Sequence, residues 1–168
     1  TTLRQPTIMD RLVQCALVIA YRLAFAYWFV FRPQTKGAYV AVWVQDQLLL
    51  IRNSYKSGYT FPAGGLKKGE TPLQGAVREL REEVGVEINP EDLHLVAEFR
   101  TRSEFKLDSS SVYELRLPTV PTIHLDQREV VAYNWVTFQQ AAASHVAPVV
   151  KAYLNHLSGD GESVTTQP

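Results

Sequence analysis

The chain has 168 residues, with 17 basic and 17 acidic side chains and a formal net charge of zero. That length is most simply one domain, large enough to bury about two-thirds of its unfolded surface. The balanced charge argues against a polyanion-binding surface, so nucleic acid is not an expected partner. The single cysteine, Cys15, leaves no partner for a disulfide within these residues and is compatible with a reducing cytoplasm.

The first ordered segment in chain order is a long apolar run from Leu12 to Phe31, interrupted by Gln14 and Arg22. Its length would span a bilayer, but an arginine near the middle costs about 2.5–3.5 kcal/mol on insertion scales. No small-residue cleavage site follows the run, which argues against a signal peptide. The run therefore favours a helix that lies on a surface.

Helical projection separates polar from apolar residues in this segment. The polar arc contains Asp10, Arg11, Gln14, Arg22 and Arg32. The apolar face contains Leu12, Ala16, Ile19, Leu23 and Tyr27. An amphipathic helix fits this pattern, packed on its own domain or in a homodimer, with peripheral membrane contact through residues 10–32 as the alternative. Pro33 should end the helix, so residues 1–35 are predicted to form a helix and a linker. None of the candidate site residues named below lies within residues 1–32, so removing this segment should leave the chemistry of the remaining chain intact.

Residues 36–158 alternate between strand-like and helix-like segments, which indicates an α/β layered domain. Strands are predicted at 38–44, 48–52, 93–105, 112–117 and 130–136, with the turn before the fourth strand at residues 108–110. Thr137 begins a helix with a capping box, and Pro148 breaks that helix or begins another that runs to about Leu157. Residues 159–168 are predicted to be a flexible tail.

A further helix is predicted at residues 72–84. Thr71 is a good N-cap, Gln74 completes a capping box, Pro72 suits the first helical position, and Gly85 suits a left-handed C-terminal residue. One face of this helix is apolar and consists of Leu73, Ala76, Val77, Leu80 and Val84.

A neighbouring face of the same helix crowds three carboxylates together. Glu79, Glu82 and Glu83 stand at i, i+3 and i+4, where like charges destabilise a helix unless something compensates. Carboxylate oxygens suit Mg²⁺, and the absence of His or Cys from this cluster argues against zinc. The alternative is a solvated face with ion pairs to Arg78 and Arg81.

The residues before the helix add a glycine pair, Gly64 and Gly65, which suits a tight turn and can also present amide hydrogens to anions. Five residues separate Gly64 from Glu70, seven more follow, and the segment then continues as the residues Arg78–Val86 with the sequence RELREEVGV. This order matches the Nudix box at every specified position over residues 64–86. The chain therefore resembles a Nudix hydrolase.

The resemblance covers about residues 36–157 and implies a mixed sheet sandwiched between helices, with the N-terminal amphipathic helix as an extra element. It also implies an enzyme that uses Mg²⁺, or Mn²⁺ in its place, to hydrolyse a pyrophosphate bond in a nucleoside diphosphate linked to another group. A binding or regulatory module that does not turn over, docked through the N-terminal helix, is the alternative. A cytoplasmic location is expected, with membrane association through the same helix as its variant.

The resemblance also assigns roles to residues. The metal ligands would be Glu79, Glu82 and Glu83. The catalytic residues would be Arg78, Glu79, Glu82 and Glu129, with a structural ion pair as the alternative role of Glu129. Phosphate contacts would come from Arg52, Gly64 and Gly65, and Glu70 would form a supporting ion pair with Arg78. Weaker phosphate candidates are Lys56, Arg100, Arg102 and Lys106, and aromatic residues that could stack on a base are Tyr55, Tyr59, Phe61 and Phe99.

Overall fold

A six-stranded mixed sheet forms the centre of the protein in a computed structural model that describes residues 5–159, apart from the side chains of residues 102 and 103. The helices are α1 (Ile8–Phe31), α2 (Pro72–Val84), α3 (Phe138–Ala143) and α4 (Pro148–Leu157). The strands are β1 (Gln34–Val44), β2 (Gln47–Asn53), β3 (Ala63–Gly65), β4 (His94–Ser103), β5 (Lys106–Leu117) and β6 (Val130–Thr137), and a 3₁₀ turn covers Pro90–Asp92.

Strand β1 organises the sheet, whose order is β4-β5-β1-β2-β6. It runs parallel to β5 from the pair Gln34–Leu107 to the pair Val44–Leu117, while the other pairings are antiparallel. The short strand β3 lies beside the first half of β1, with Gly65 opposite Gly37. This pairing fixes the glycine pair of the box against the middle of the sheet.

Two hydrophobic clusters lie on opposite faces of the sheet. The first joins α2 to the sheet through Ala76, Leu80 and Val84. The second joins α3 and α4 through Ala141, Val150 and Tyr153. Helices therefore cover both faces, and the predicted α/β sandwich is confirmed.

The β4–β5 turn lies at Glu104 and Phe105, so its predicted position at residues 108–110 is wrong. The reason is that the polar run is paired inside the sheet. Asp108 is buried and accepts hydrogen bonds from the hydroxyls of Thr35 (2.5 Å) and Ser110 (2.8 Å). The turn itself is unusual, because both central residues have positive φ, 55° and 62°, without being glycine or asparagine.

The boundaries of the N-terminal segment also differ from expectation. Strand β1 begins at Gln34, because residues 34–36 pair with β5, so the linker is shorter than predicted. At the other end, only Gly159 of the predicted tail lies within the described residues.

Helix α1 packs on the domain through Asp10 and Gln14 in its first half and through aromatic side chains such as Tyr21 in its second half, not through the predicted apolar face. The side chain of Gln14 donates to the carbonyl of Gln127 (2.7 Å), and Asp10 lies 3.9 Å from Arg128. The apolar face stays exposed, with Leu23 at 68 % exposure. By length and mean hydropathy (1.6) α1 could also cross a membrane, which is weak evidence taken alone.

Candidate active site

Helix α2 begins and ends where the sequence predicts. The Thr71 hydroxyl accepts from the amide of Gln74 (3.3 Å), and the Gln74 side chain accepts from the amide of Thr71 (3.0 Å). Gly85 ends the helix with φ 70°. Since Leu80 and Val84 are fully buried against the sheet, the neighbouring face with its charged residues is held at a fixed orientation.

Arg78 is the centre of the charged face. Its Nε and Nη2 donate to the two oxygens of Glu70 (2.7 and 2.8 Å), and Nη2 also donates to the Gly65 carbonyl (3.1 Å). Its Nη1 contacts Glu79 and lies 3.2 Å from Glu82. The hydrogen bonds from Arg78 hold the pKa of Glu70 down at about 2. The box loop is thereby tied to the helix by one guanidinium.

Glu83 is the most buried carboxylate of the site, at 3 % exposure. Its Oε2 accepts from the amide of Ala63 (2.8 Å), and its Oε1 accepts from the Asn53 side chain (3.4 Å). Burial nevertheless raises its pKa well above the usual value, and the nearby charges of Glu79 and Glu129 add to the shift. A positive charge close to Glu83 would therefore favour its deprotonated form.

Glu79 lies against Gly64, where a β-carbon would come within 1.9 Å of the Glu79 Oε1 atom. Any larger residue at position 64 would displace the Glu79 carboxylate from this position. Burial raises the pKa of Glu79, Arg78 opposes that rise, and the charges of Glu82 and Glu129 add to it.

Glu129 lies outside the box, yet the structure brings it to the same place. Its charge contributes to the raised pKa of both Glu79 and Glu83. Its Oε1 accepts a hydrogen bond of 2.6 Å from the hydroxyl of Tyr55. Burial is the largest cause of the raised pKa of Tyr55, followed by this hydrogen bond, so the phenol remains a donor.

The carboxylate cluster has the donor chemistry of a hard-cation site. Among the described residues no three His, Cys, Asp or Glu side chains converge closely enough to form a complete metal cage. Mg²⁺ does not require one, because it keeps water and substrate phosphates beside one or two carboxylates. The half-buried Glu79 and the buried Glu83, whose charges repel each other, therefore offer oxygen ligands to such an ion, with the exposed Glu82 beside them.

A cavity of about 660 Å³ adjoins the cluster, within the size range of small-molecule sites. Asn53, Ala63 and Gly64 line its end near the carboxylates, and Tyr21 and Trp28 of α1 line another part of its wall. The extra helix thus contributes directly to the cavity.

Several weaker candidates fall on the cavity and others do not. Lys56, Lys106, Tyr55 and Tyr59 line it. Phe61 is fully buried and packs edge-on against Tyr153, 5.3 Å between ring centres, so it belongs to the core.

The remaining candidates lie away from the cluster. Arg52 is exposed on β2, and since side chains alternate along a strand it points away from the face on which Asn53 reaches Glu83. Phe99 packs beside His156, Arg100 is exposed, and the side chain of Arg102 lies outside the described part of the chain.

Sequence reasoning missed Tyr21, Trp28 and Glu104 as cavity residues. One signal was available for α1, since Gln14, Tyr21 and Trp28 are spaced by seven residues and so share one helical face. No sequence pattern pointed to Glu104, because it reaches the cavity from a turn with positive φ, a conformation that glutamate does not favour.

Comparison with known proteins agrees with this geometry. A sequence model of the NUDIX domain matches residues 32–156. The RNA pyrophosphohydrolase of Francisella philomiragia is 42 % identical over 64 residues, which are 38 % of this chain and 39 % of that protein. The chain thus spans about two-fifths of the length of the curated relatives it matches.

Three solved structures share the fold at identities too low to show more than the fold. They are the MutT protein of Methanosarcina mazei (TM-score 0.67, 16 % identity, 78 % of this chain and 97 % of that chain), the dihydroneopterin triphosphate pyrophosphohydrolase of E. coli (0.61, 24 %, 72 % and 92 %) and a bifunctional NMN adenylyltransferase/ADP ribose pyrophosphatase of Francisella tularensis complexed with AMP and a Mn ion (0.62, 18 %, 90 % and 48 %). With the family match over most of the chain and the box carboxylates gathered around Arg78 beside a cavity, the chain belongs to the Nudix hydrolase family.

Proposed function

We propose that the protein hydrolyses a pyrophosphate bond in a nucleoside diphosphate linked to another group, with Mg²⁺ as cofactor and Mn²⁺ as its substitute. One observation carries the proposal: the buried Glu83 and the half-buried Glu79, whose carboxylates repel each other, stand beside a cavity of small-molecule size. Such an arrangement is costly unless a cation and phosphates complete it. The pyrophosphohydrolase names of several relatives support the same reaction class.

The residues of the cluster provide metal binding, proton transfer and positioning in this proposal. Glu79, Glu82 and Glu83 are the candidate ligands, of which one or two would hold the metal together with water and substrate phosphates. When bound, the metal would neutralise phosphate charge and acidify water. One of Glu79, Glu82 and Glu129 accepts the proton of the attacking water. Arg78 keeps the box loop and the carboxylates in register through Glu70 and the Gly65 carbonyl.

Glu82 is the most suitable residue for testing the proposal, because it is exposed and its substitution should not disturb folding. In Glu82→Gln we expect kcat to fall about 100-fold at saturating Mg²⁺. Glu87→Gln, an exposed glutamate on the chain after the helix, is the matched control and should keep the parent rate. The assay screens nucleoside diphosphate-linked compounds and measures phosphate released by an added phosphatase.

Two outcomes would contradict the proposal. A Glu82→Gln protein with the parent kcat removes Glu82 from the site. Turnover that survives exhaustive EDTA treatment removes the metal from the reaction.

We further propose that α1 docks on an anionic membrane surface at the cytoplasmic side. Five residues at i, i+4, i+11, i+15 and i+22 form one exposed apolar stripe: Ile8, Leu12, Ile19, Leu23 and Val30 are 60–81 % exposed. Arg11 and Arg22 are exposed on the same helix, whereas its one acidic residue, Asp10, is buried towards Arg128. Apolar surface flanked by arginines suits anionic lipid, and the contacts of Asp10 and Gln14 with the domain favour a helix that lies flat.

Liposome sedimentation tests this docking. The protein should bind phosphatidylserine-containing vesicles more strongly than neutral ones, and Leu23→Glu should weaken that binding while Glu87→Gln does not. Equal partition between both vesicle types would contradict the charge argument. A dimer in light scattering that Leu23→Glu converts to monomer would assign the stripe to a second copy instead.

A further inference from the structure

We infer that α1 is a working part of the active site, which positions the carboxylate of Glu129 through Tyr55. The inference rests on the proposed function, in which Glu129 is one of the carboxylates beside the cavity. It replaces the expectation that catalysis is independent of residues 1–32.

The loop that carries Glu129 is held by α1 directly. The Gln14 side chain donates to the carbonyl of Gln127 (2.7 Å), and Asp10 lies 3.9 Å from the Nε of Arg128. Both contacts fall within two residues of Glu129. The N-terminal half of α1 therefore fixes the backbone from which this carboxylate projects.

The side chain of Glu129 is held indirectly, through two tyrosines whose rings are in contact at an angle of 46°. Tyr55 donates its hydroxyl to Glu129 Oε1 at 2.6 Å, and the amide of Ser54 donates to the Glu129 carbonyl at 2.7 Å. The ring of Tyr21, from α1, packs on the ring of Tyr55 with centres 5.4 Å apart. Tyr55 is thereby confined between α1 and the carboxylate that it orients.

Tyr21 is itself fixed at its far end. Its hydroxyl donates to Glu104 at 2.5 Å, and Glu104 also pairs with Lys56 (3.5 Å) and Lys106 (3.4 Å). Glu104 stands in the turn whose two central residues both have positive φ, a conformation that costs about 1–3 kcal/mol per non-glycine residue.

The partner of Glu104 in that turn, Phe105, packs against two further rings of α1. The centres of Phe25 and Phe29 lie 5.2 and 5.0 Å from its own. Contacts with α1 thus compensate for a strained turn. These contacts with α1 hold the turn, and with it Glu104, in place at the wall of the cavity, as a positioning role for α1 requires.

The test uses Tyr55→Phe, which keeps the ring and removes only the hydroxyl. We expect kcat to fall at least about 10-fold, as for loss of a hydrogen bond to a charged group, with KM changed less than twofold. Tyr21→Ala should act in the same direction. Tyr27→Phe is the matched control, since Tyr27 lies on the exposed side of α1 and should retain the parent kcat.

A double-mutant cycle separates positioning from general destabilisation. If Tyr55 acts through Glu129, the double variant Tyr55→Phe/Glu129→Gln should be no slower than Glu129→Gln alone. Multiplied effects of the two substitutions, or a parent kcat in Tyr55→Phe, would overturn the inference.

Hydrogen exchange gives a readout that needs no turnover. The amide of Ser54, bonded to the Glu129 carbonyl, should exchange faster in Tyr55→Phe and Tyr21→Ala than in the parent or in Tyr27→Phe. If the parent cleaves no substrate while exchange responds as expected, the proposed function fails and the positioning by α1 stands. Unchanged exchange in both variants overturns the positioning.

Discussion

Helices α1 and α2 begin and end with the same kinds of local sequence signals, but they bury different kinds of residues. Each begins with a threonine N-cap in a capping box, Thr7 with Asp10 and Thr71 with Gln74. Each is followed by a left-handed residue, Arg32 with φ 44° and Gly85 with φ 70°. Local signals therefore decide that both segments are helices, but they do not decide what the helices contact.

The difference lies in which face each helix buries. Helix α2 buries its apolar face on the sheet, with Ala76, Leu80 and Val84 at zero exposure. Helix α1 buries Asp10 instead and leaves a stripe that includes Leu23 in solvent. Charged groups in α2 form the site, whereas in α1 polar and aromatic groups fasten the helix to it. Helix α1 thus buries a polar residue and exposes apolar ones, the reverse of the usual pattern. The exposed apolar stripe of α1 therefore has a role other than packing in the core.

Two matched leucine truncations give the largest expected contrast. Leu80→Ala should lower the free energy of unfolding by about 3 kcal/mol, because it opens a cavity between α2 and the sheet. Leu23→Ala, in the exposed stripe of α1, should change it by less than about 0.5 kcal/mol. Urea unfolding followed by circular dichroism measures both. Equal losses would mean that the stripe is buried in solution and would break the comparison.

The arginines of α2 sharpen the comparison within one helix. Arg78→Ala should cost about 2 kcal/mol of unfolding free energy, since Glu70 and Glu79 lose their counter-charge. Arg81→Ala, three residues on and exposed, should cost less than about 0.5 kcal/mol. The same urea titration measures both variants. If Arg81→Ala lowers the free energy of unfolding as much as Arg78→Ala does, the ion pairs of Arg78 are not the reason for its larger effect.

The smallest expected effect is a pH dependence in the protein without metal. Because the folded pKa of Glu83 is raised, its contribution to stability is full below the ordinary value of 4.5 and is lost as pH rises through the folded pKa. Glu83→Gln removes that loss, so at pH 8 its Tm should exceed the parent Tm. At pH 5 the difference should shrink.

Thermal scans with and without Mg²⁺ complete this experiment. Saturating Mg²⁺ should raise the parent Tm at pH 8 more than that of Glu83→Gln, because the ion stabilises the folded state that binds it. If the difference in Tm between the parent and Glu83→Gln is the same at pH 5 and pH 8, Glu83 is not a buried carboxylate that lacks a compensating charge.

Much of the fold and of the box could be predicted because the signals are local. The capping residues Thr71 and Gln74, the terminal Gly85 and the spacing of Glu79, Glu82 and Glu83 all lie within one short window. Helix geometry alone converts that spacing into a shared face. The α/β layering followed from the alternation of segments in the same way.

The rest depended on contacts between distant residues. Gln14 meets Gln127 across 113 positions, and Tyr21 meets Glu104 across 83. The β4–β5 turn was misplaced because Glu104 and Phe105 lack the residue types that such turns favour, while the more turn-like Asp108 is held in the sheet by Thr35. Periodicity alone could not show which face of α1 meets the domain.

The parallel pairing of β1 with β5 bears on how the chain reaches this state. The register joins Thr35 to Asp108, so the centre of the sheet closes a loop of about seventy residues that contains the whole box. Closing so long a loop is slow, because its entropy is lost before the contacts form. During synthesis the apolar strand β1 must wait unpaired on that side until residues 106–117 have emerged. Helix α2 is thus synthesised before the sheet on which it packs is complete. Folding of the domain therefore depends on the synthesis of its second half, which contains β5.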